Sequence, residues 1–239
     1  MIPRRVVLLH GFTQGGGIWV PVMEAVTTRA PIDAPDLPGH GSSSGIATGL
    51  PETADLLAHE YGLGAYVGYS MGGRLALHLA LAHPHLVSHL VLCSATAGID
   101  DPDERSARRQ SDHALADHVR AIGLETFLME WTSQPMFASL HRSRHDDEVR
   151  LANSAHGLAS SLELAGTGEQ DSLWDRLHEL HMPVLVVTGA NDEKFSAIGD
   201  RLVDAIGDNA RHVSFPTTGH AVPFERPGDF AALLTAFLR

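Results

Sequence analysis

The 239 residues include 17 Lys and Arg against 29 Asp and Glu, a formal charge of −12, so no basic surface is available for nucleic acid or an anionic membrane and neither is expected as a partner. A hydrophobic fraction of 44% with 19% charged residues describes a chain that can bury a core as one α/β domain, with room for an insertion. The one cysteine, Cys93, excludes an intrachain disulfide; with no apolar run near the ~20 residues of a spanning helix and no secretion-type leader, a reducing cytoplasm is the expected location.

In chain order, an apolar run over 6–9 predicts a strand that stops at His10-Gly11-Phe12, with Gly15-Gly16-Gly17 keeping bulk out of the loop behind it. A second strand over 30–34 leads into Asp36-Leu37-Pro38-Gly39-His40-Gly41, and a helical pattern covers 51–60. The strand at 65–68 runs into Gly68-Tyr69-Ser70-Met71-Gly72-Gly73, followed by a helix over 72–83 and a strand over 88–94. From 97 to 180 there is no convincing strand, only amphipathic helical patterns at 103–120, 124–131, 146–161 and 172–180. The alternation then resumes with a strand at 184–188, a helix at 196–206, a strand at 211–215 and a helix at 229–238. Apolar strands alternating with helices indicate an α/β fold on a mostly parallel sheet covered on both faces. Residues 1–96 and 181–239 therefore form the core, and 97–180 a helical insertion placed to cover the serine as a lid.

Gly68-x-Ser70-x-Gly72 is a nucleophile-elbow pattern, a backbone prescription that turns strand into helix within about one residue and leaves the serine hydroxyl exposed. A serine needs a base and an acid to orient that base. Asp192, in Gly189-Ala190-Asn191-Asp192-Glu193-Lys194-Phe195, and His220, in Thr217-Thr218-Gly219-His220, follow the last two strands, where a doubly wound sheet collects its functional loops. Glu193 is the rival acid; the Gly-x-x-Asp spacing favours Asp192. Two backbone amides, of Met71 after the serine and Phe12 after the first strand, are the candidate oxyanion hole. His83, His85 and His89 have no carboxylate or cysteine at ligand spacing, so no metal is expected.

Together, His10-Gly11-Phe12, Asp36-x-Pro38-Gly39-His40-Gly41, the Ser70 elbow, Asp192 and His220 resemble the α/β-hydrolase superfamily over the whole chain. The first strand comes almost at once, so the superfamily's usual leading hairpin is expected to be absent. The elbow continuation Gly72-Gly73-Arg74 and the insertion segments 108–112, 131–140, 166–170 and 172–174, with 192–195, resemble one family more closely: 2-succinyl-6-hydroxy-2,4-cyclohexadiene-1-carboxylate synthase of menaquinone biosynthesis. The segment 94–99 lacks that family's Pro-Gly pair, Thr132 stands where tyrosine is common, and Asp171 replaces a proline. The resemblance implies a lyase that removes a ring proton with Ser70 as base and releases pyruvate, with no cofactor. It also implies a small substrate with several carboxylates, held by Arg74, Arg108 and Arg150 in a pocket that includes Tyr69, Trp131, Gln134 and Phe137. The runner-up reading is a serine hydrolase of small carboxylate-bearing esters or C–C bonds that uses the same triad covalently; the intact triad argues against a third, a non-catalytic ligand receptor. The oligomeric state is not fixed by the sequence; a monomer is compatible with it.

Overall fold

The computed structural model describes residues 3–239. Six strands form one sheet, all parallel, in the order β2-β1-β3-β4-β5-β6: β1 (Val6–Leu9), β2 (Ile32–Asp33), β3 (Gly64–Tyr69), β4 (Val87–Cys93), β5 (Val184–Gly189) and β6 (Ala210–Phe215). The second strand is only two residues long, not five, because Pro31 and Pro35 bracket it and can donate no ladder hydrogen bond. The strands read as continuous hydrophobic runs because both faces are covered. Val7 and Leu9 point into one core with Tyr66, Leu90, Leu92, Val184 and Val186; Val6 and Leu8 point into the other with Val67, Val91, Leu185 and Val187.

Helices α1 (Val20–Ala25), α9 (Val222–Glu225) and α10 (Pro227–Phe237) close the second face, where Phe230 and Leu234 pack under Trp19 and Val22. Helices α2 (Leu50–Tyr61), α3 (Met71–Ala82) and α8 (Glu193–Ile206) close the first. Leu75, Leu77 and Leu79 of α3 are fully buried there, each worth about 2–3 kcal/mol.

Between β4 and β5 lie α4 (Pro102–Ile122), α5 (Leu124–Thr132), α6 (Arg144–Leu151) and α7 (Ala155–Ala165). Helices α4, α5 and α7 share a small core of Ala116, Val119, Phe127, Leu128, Leu158 and Leu162, whereas Val149 of α6 packs against the core of the sheet's second face. Asp101 caps α4 by accepting from the Asp103 and Glu104 amides, and Ser143 opens α6 with a reciprocal capping box to Asp146. The single helix expected over 146–161 is two: the chain breaks at Ala152-Asn153-Ser154, where Ser154 accepts the Gly157 amide and starts α7. The last segment of the insertion expected to be helical, 172–180, is a 3-10 run at Trp174–Glu179. No described helix is long and apolar enough to cross a membrane.

The chain order switches direction between β1 and β3: β2 lies on one side of β1 and β3 on the other. Loops leaving the carboxyl ends of β1 and β3 therefore diverge over a crevice. That crevice holds Phe12 and Ser70.

Candidate active site

Ser70 occupies the turn between β3 and α3 with φ 51° and ψ −110°, a region costly for a side chain and found where surrounding structure over-determines it. Its amide is held by the Cys93 carbonyl at 2.8 Å. The glycines around it are steric necessities: a Cβ on Gly68 would collide with the Gly72 carbonyl, and one on Gly72 with the Leu9 carbonyl. The tight turn sets the serine at the mouth of the switch-point crevice and the Met71 amide at the start of α3. Among the described residues, neither the Met71 nor the Phe12 amide finds an acceptor within the chain.

His220 is buried, and its Nδ1–H donates to Asp192 Oδ2 at 2.6 Å. That fixes the tautomer, so Nε2 accepts from the Ser70 hydroxyl at 3.2 Å. Asp192 is also the N-cap of α8, its Oδ1 accepting from the Phe195 amide at 3.3 Å. One carboxylate thus orients the histidine and opens a helix. Glu193, the rival acid, lies inside the first turn of α8. Phe195 packs edge-on against the His220 ring, 4.6 Å between centroids.

Two residues outside the sequence-derived set hold the histidine loop. Glu225 accepts from the Gly219 amide at 2.9 Å and the Ala221 amide at 3.0 Å, gripping His220 from both sides. Ser94, at φ 47°, donates to the His220 carbonyl at 2.8 Å. The only signal for Glu225 was a carboxylate five residues beyond a loop histidine, which is too common to single out.

The cavity over Ser70 is about 30 Å³, walled by Phe12, Gln14, Tyr69, Trp131, Met136, Phe137, Arg150 and His220. Arg150, on α6, is 3% exposed, donates to the Thr13 hydroxyl, and has a buried Nε–H with no partner. Trp131 Nε1 is likewise buried and unpartnered. Burial pulls the Arg150 guanidinium below its usual range, with Tyr69 opposing. An unpaired cation and an unpaired donor on the wall of a serine-histidine cavity suit an anionic ligand.

A family model for the alpha/beta hydrolase fold matches residues 4–227. A Bacillus subtilis protein provisionally named 2-succinyl-6-hydroxy-2,4-cyclohexadiene-1-carboxylate synthase is 38% identical over 98% of this chain and 90% of its own. The synthase of that name from Enterobacter sp. is 34% identical over 98% of this chain and 91% of its own. The chain belongs to this synthase family. Among solved structures, MenH from S. aureus superposes with a TM-score of 0.89 at 31% identity, covering 98% of this chain and 93% of that one. A malate-bound esterase from Thermogutta terrifontis superposes at 0.78 with 25% identity, covering 98% and 89%.

Against the family's implied pocket, the structure places Tyr69, Trp131, Phe137 and Arg150 on the cavity wall and leaves three residues off it. Arg74 is buried, but its guanidinium donates to the Ala165 carbonyl at 2.9 Å and the Gly166 carbonyl at 3.4 Å, at the end of α7. Desolvation, then the nearby Arg108 charge, brings it down to about 10, so it stays charged at neutral pH. Arg108 is exposed and pairs with Asp112 one turn along α4 at 2.8 Å. Gln134 precedes the 3-10 turn Pro135–Phe137 as its N-cap, and the cavity is walled by Met136 and Phe137 instead. Gln14 and Met136 are wall residues that the sequence did not disclose; Gln14 sits in the loop after β1 and Met136 in the single 3-10 turn Pro135–Phe137.

The buried histidines of the two glycine-rich loops are structural. His10 donates from Nδ1 to the Gly11 carbonyl and accepts the Leu37 amide at 3.0 Å, and burial pulls it down to about 4. His40 donates to the Pro38 carbonyl, packs edge-on against Phe12, and is pulled down to about 3, mainly by burial and then by His10. Unfolded histidines titrate near 6.5, so in this interval the unfolded chain binds protons that the folded chain excludes. The resulting stability is complete above pH 6.5 and is lost as pH falls toward 4 and then 3. Urea unfolding from pH 7.5 to 4.5 is expected to show a loss on the order of 5 kcal/mol from these two histidines, with a shallower slope in His40→Leu. An unchanged slope in that variant would clear His40 of the effect.

Proposed function

We propose that this chain is a carbon–oxygen lyase that eliminates pyruvate from 2-succinyl-5-enolpyruvyl-6-hydroxy-3-cyclohexene-1-carboxylate, leaving 2-succinyl-6-hydroxy-2,4-cyclohexadiene-1-carboxylate. The observation that carries it is near-full-length likeness to synthases of that name in a chain whose Ser70–His220–Asp192 relay opens onto an unpaired Arg150.

The reaction removes the C2 proton, next to the succinyl ketone. Its electrons form C2=C3, the ring double bond moves to C4=C5, and the C5–O bond breaks. Pyruvate leaves as its enolate and regains a proton at carbon, so no water is consumed. Ser70 Oγ, relieved of its own proton by His220, takes the C2 proton. Negative charge collects on the ketone oxygen, which the Phe12 and Met71 amides, without acceptors among the described residues, would hold. The substrate bears carboxylates on the ring, the succinyl arm and the enolpyruvyl group. A chain of net charge −12 repels such an anion at long range, so affinity has to come from local cations such as Arg150.

Phe12, Tyr69, Trp131 and Phe137 give the cavity over Ser70 a largely aromatic wall, which disfavours a hydrolytic water there. Residues 97–180 act as the lid that excludes it. The test is to follow pyruvate release from the pathway substrate beside hydrolysis of a chromogenic short-chain ester. Rapid pyruvate release with ester turnover at least about a hundredfold slower is the expected result. Fast ester turnover without pyruvate would replace the lyase with a covalent serine hydrolase.

A further inference from the structure

We infer that Asn153 is a positioning residue for the oxyanion hole, transmitting the seating of the helical insertion to the Phe12 amide. Asn153 is in the break between α6 and α7, 7% exposed, and every polar atom of its side chain is engaged. Nδ2 donates to the Thr13 carbonyl at 3.0 Å, the Gln14 carbonyl at 3.3 Å and the Arg150 carbonyl at 2.9 Å. Oδ1 accepts from the Gly41 amide at 2.9 Å. One side chain of the insertion therefore clasps both the loop after β1 and the loop after β2.

The clasp falls next to the oxyanion donor. Thr13 follows Phe12 directly and has φ 66°, a left-handed conformation that a β-branched residue adopts only when its neighbours impose it. Within its own turn, residues 11–14, the support is the Gln14 amide donating to the Gly11 carbonyl at 3.2 Å and the Gln14 side chain accepting from the Gly11 amide at 2.9 Å; neither bond engages the Thr13 or Gln14 carbonyl. The rest comes from the insertion, with Asn153 on the Thr13 and Gln14 carbonyls and Arg150 on the Thr13 hydroxyl. The Phe12 ring packs edge-on against Trp131 and Phe127 of α5, with centroids 5.1 and 6.3 Å apart. Without Asn153, two buried carbonyls lose their donor and the strained turn loses its outer brace, so the Phe12 amide is free to swing off the line that an enolate oxygen needs. Arg150 shares the clasp through its carbonyl, which makes anion grip and oxyanion geometry depend on the same seated insertion.

Ser154 supplies the control. It lies in the same break and caps α7 through the Gly157 amide at 3.0 Å, without a hydrogen bond to the oxyanion loop. If Asn153 merely stiffened the insertion, N153A and S154A would behave alike. The inference rests on the lyase reading for its substrate, so a second readout is independent of it: affinity for phenylboronic acid, whose adduct with a serine puts an oxygen into the oxyanion hole. N153A is expected to lower kcat for pyruvate release by about 30- to 100-fold with KM within about threefold, and to weaken the boronate by a similar factor. S154A should leave both readouts within about threefold of wild type. Should N153A not fold, N153D is the second variant. It keeps the acceptor for Gly41 but turns an oxygen toward the Thr13 and Gln14 carbonyls, so the same losses are expected. Wild-type-like kcat and boronate affinity in the folded variant, or S154A matching its loss, would overturn the inference. If pyruvate is not released even by the wild type, the boronate comparison alone decides it.

Discussion

Ser70→Ala is expected to reduce pyruvate release by about 10³- to 10⁴-fold while substrate affinity changes by no more than a few-fold. The substitution removes one hydroxyl from a turn whose shape is set elsewhere. The Cys93 carbonyl holds the Ser70 amide, and the closeness of Gly68 and Gly72 to neighbouring backbone holds the elbow. The Ser70–His220 hydrogen bond disappears, but His220 keeps its bond to Asp192 and its loop keeps Glu225 and Ser94. The measurement is single-turnover pyruvate formation, paired with equilibrium binding of substrate to the inactive variant. A rate within about tenfold of wild type would mean that His220 takes the carbon-bound proton directly and that the serine is dispensable. A serine-linked mass adduct trapped in the wild-type enzyme would instead mean that Ser70 attacks as a nucleophile.

What the sequence disclosed follows from how tightly local chemistry constrained each part. The elbow was readable because its glycines are there to avoid backbone collisions, and the same collisions occur in the structure. Asp192 and His220 were found through the loops they occupy, and those loops are laced together: the Asn191 amide donates to the Thr218 carbonyl at 2.9 Å. The sheet was readable from runs such as Val184-Leu185-Val186-Val187, which have no polar face because none is exposed. Arg74 shows where the reading stopped. One turn beyond Ser70 on α3, it was expected to face the substrate, yet its long side chain reaches the carbonyl end of α7. Position on a helix gives the direction of Cβ but not where a guanidinium several bonds further ends. The break at Ala152-Asn153-Ser154 was hidden for another reason. Apolar spacing continues across it, and the side chain that enforces it bonds to residues more than a hundred positions away. Gln14 and Met136 line the cavity from a loop and a single 3-10 turn, both too short for a periodicity that would announce an inward side chain.

Arg150→Met is expected to move stability and activity in opposite directions. The guanidinium is buried beside Ser70, and among the described residues no carboxylate pairs with it. Its Nε–H has no acceptor, while its distant acidic neighbours, Asp146 and Asp147, act only through space. Burying a charge in that state costs more than the Thr13 contact returns, and a methionine of similar length fills the volume without the cost. The melting temperature of the ligand-free variant is therefore expected to equal or exceed that of the wild type. Activity should fall steeply, because the unpaired cation is the one the substrate carboxylate would complete. Losing a buried charge-assisted contact of about 3–4 kcal/mol corresponds to a drop in kcat/KM of roughly 10²- to 10³-fold. Arg150→Lys should recover only part of it, since an ammonium cannot present the guanidinium's paired donors to Thr13 and a carboxylate together. Salt adds a second check. Screening weakens exposed pairs far more than a closed, buried one, so KM in the wild type should rise only modestly between low and high ionic strength. A variant that melts well below wild type yet turns over normally would mean that Arg150 braces the Thr13 turn and does not meet the substrate.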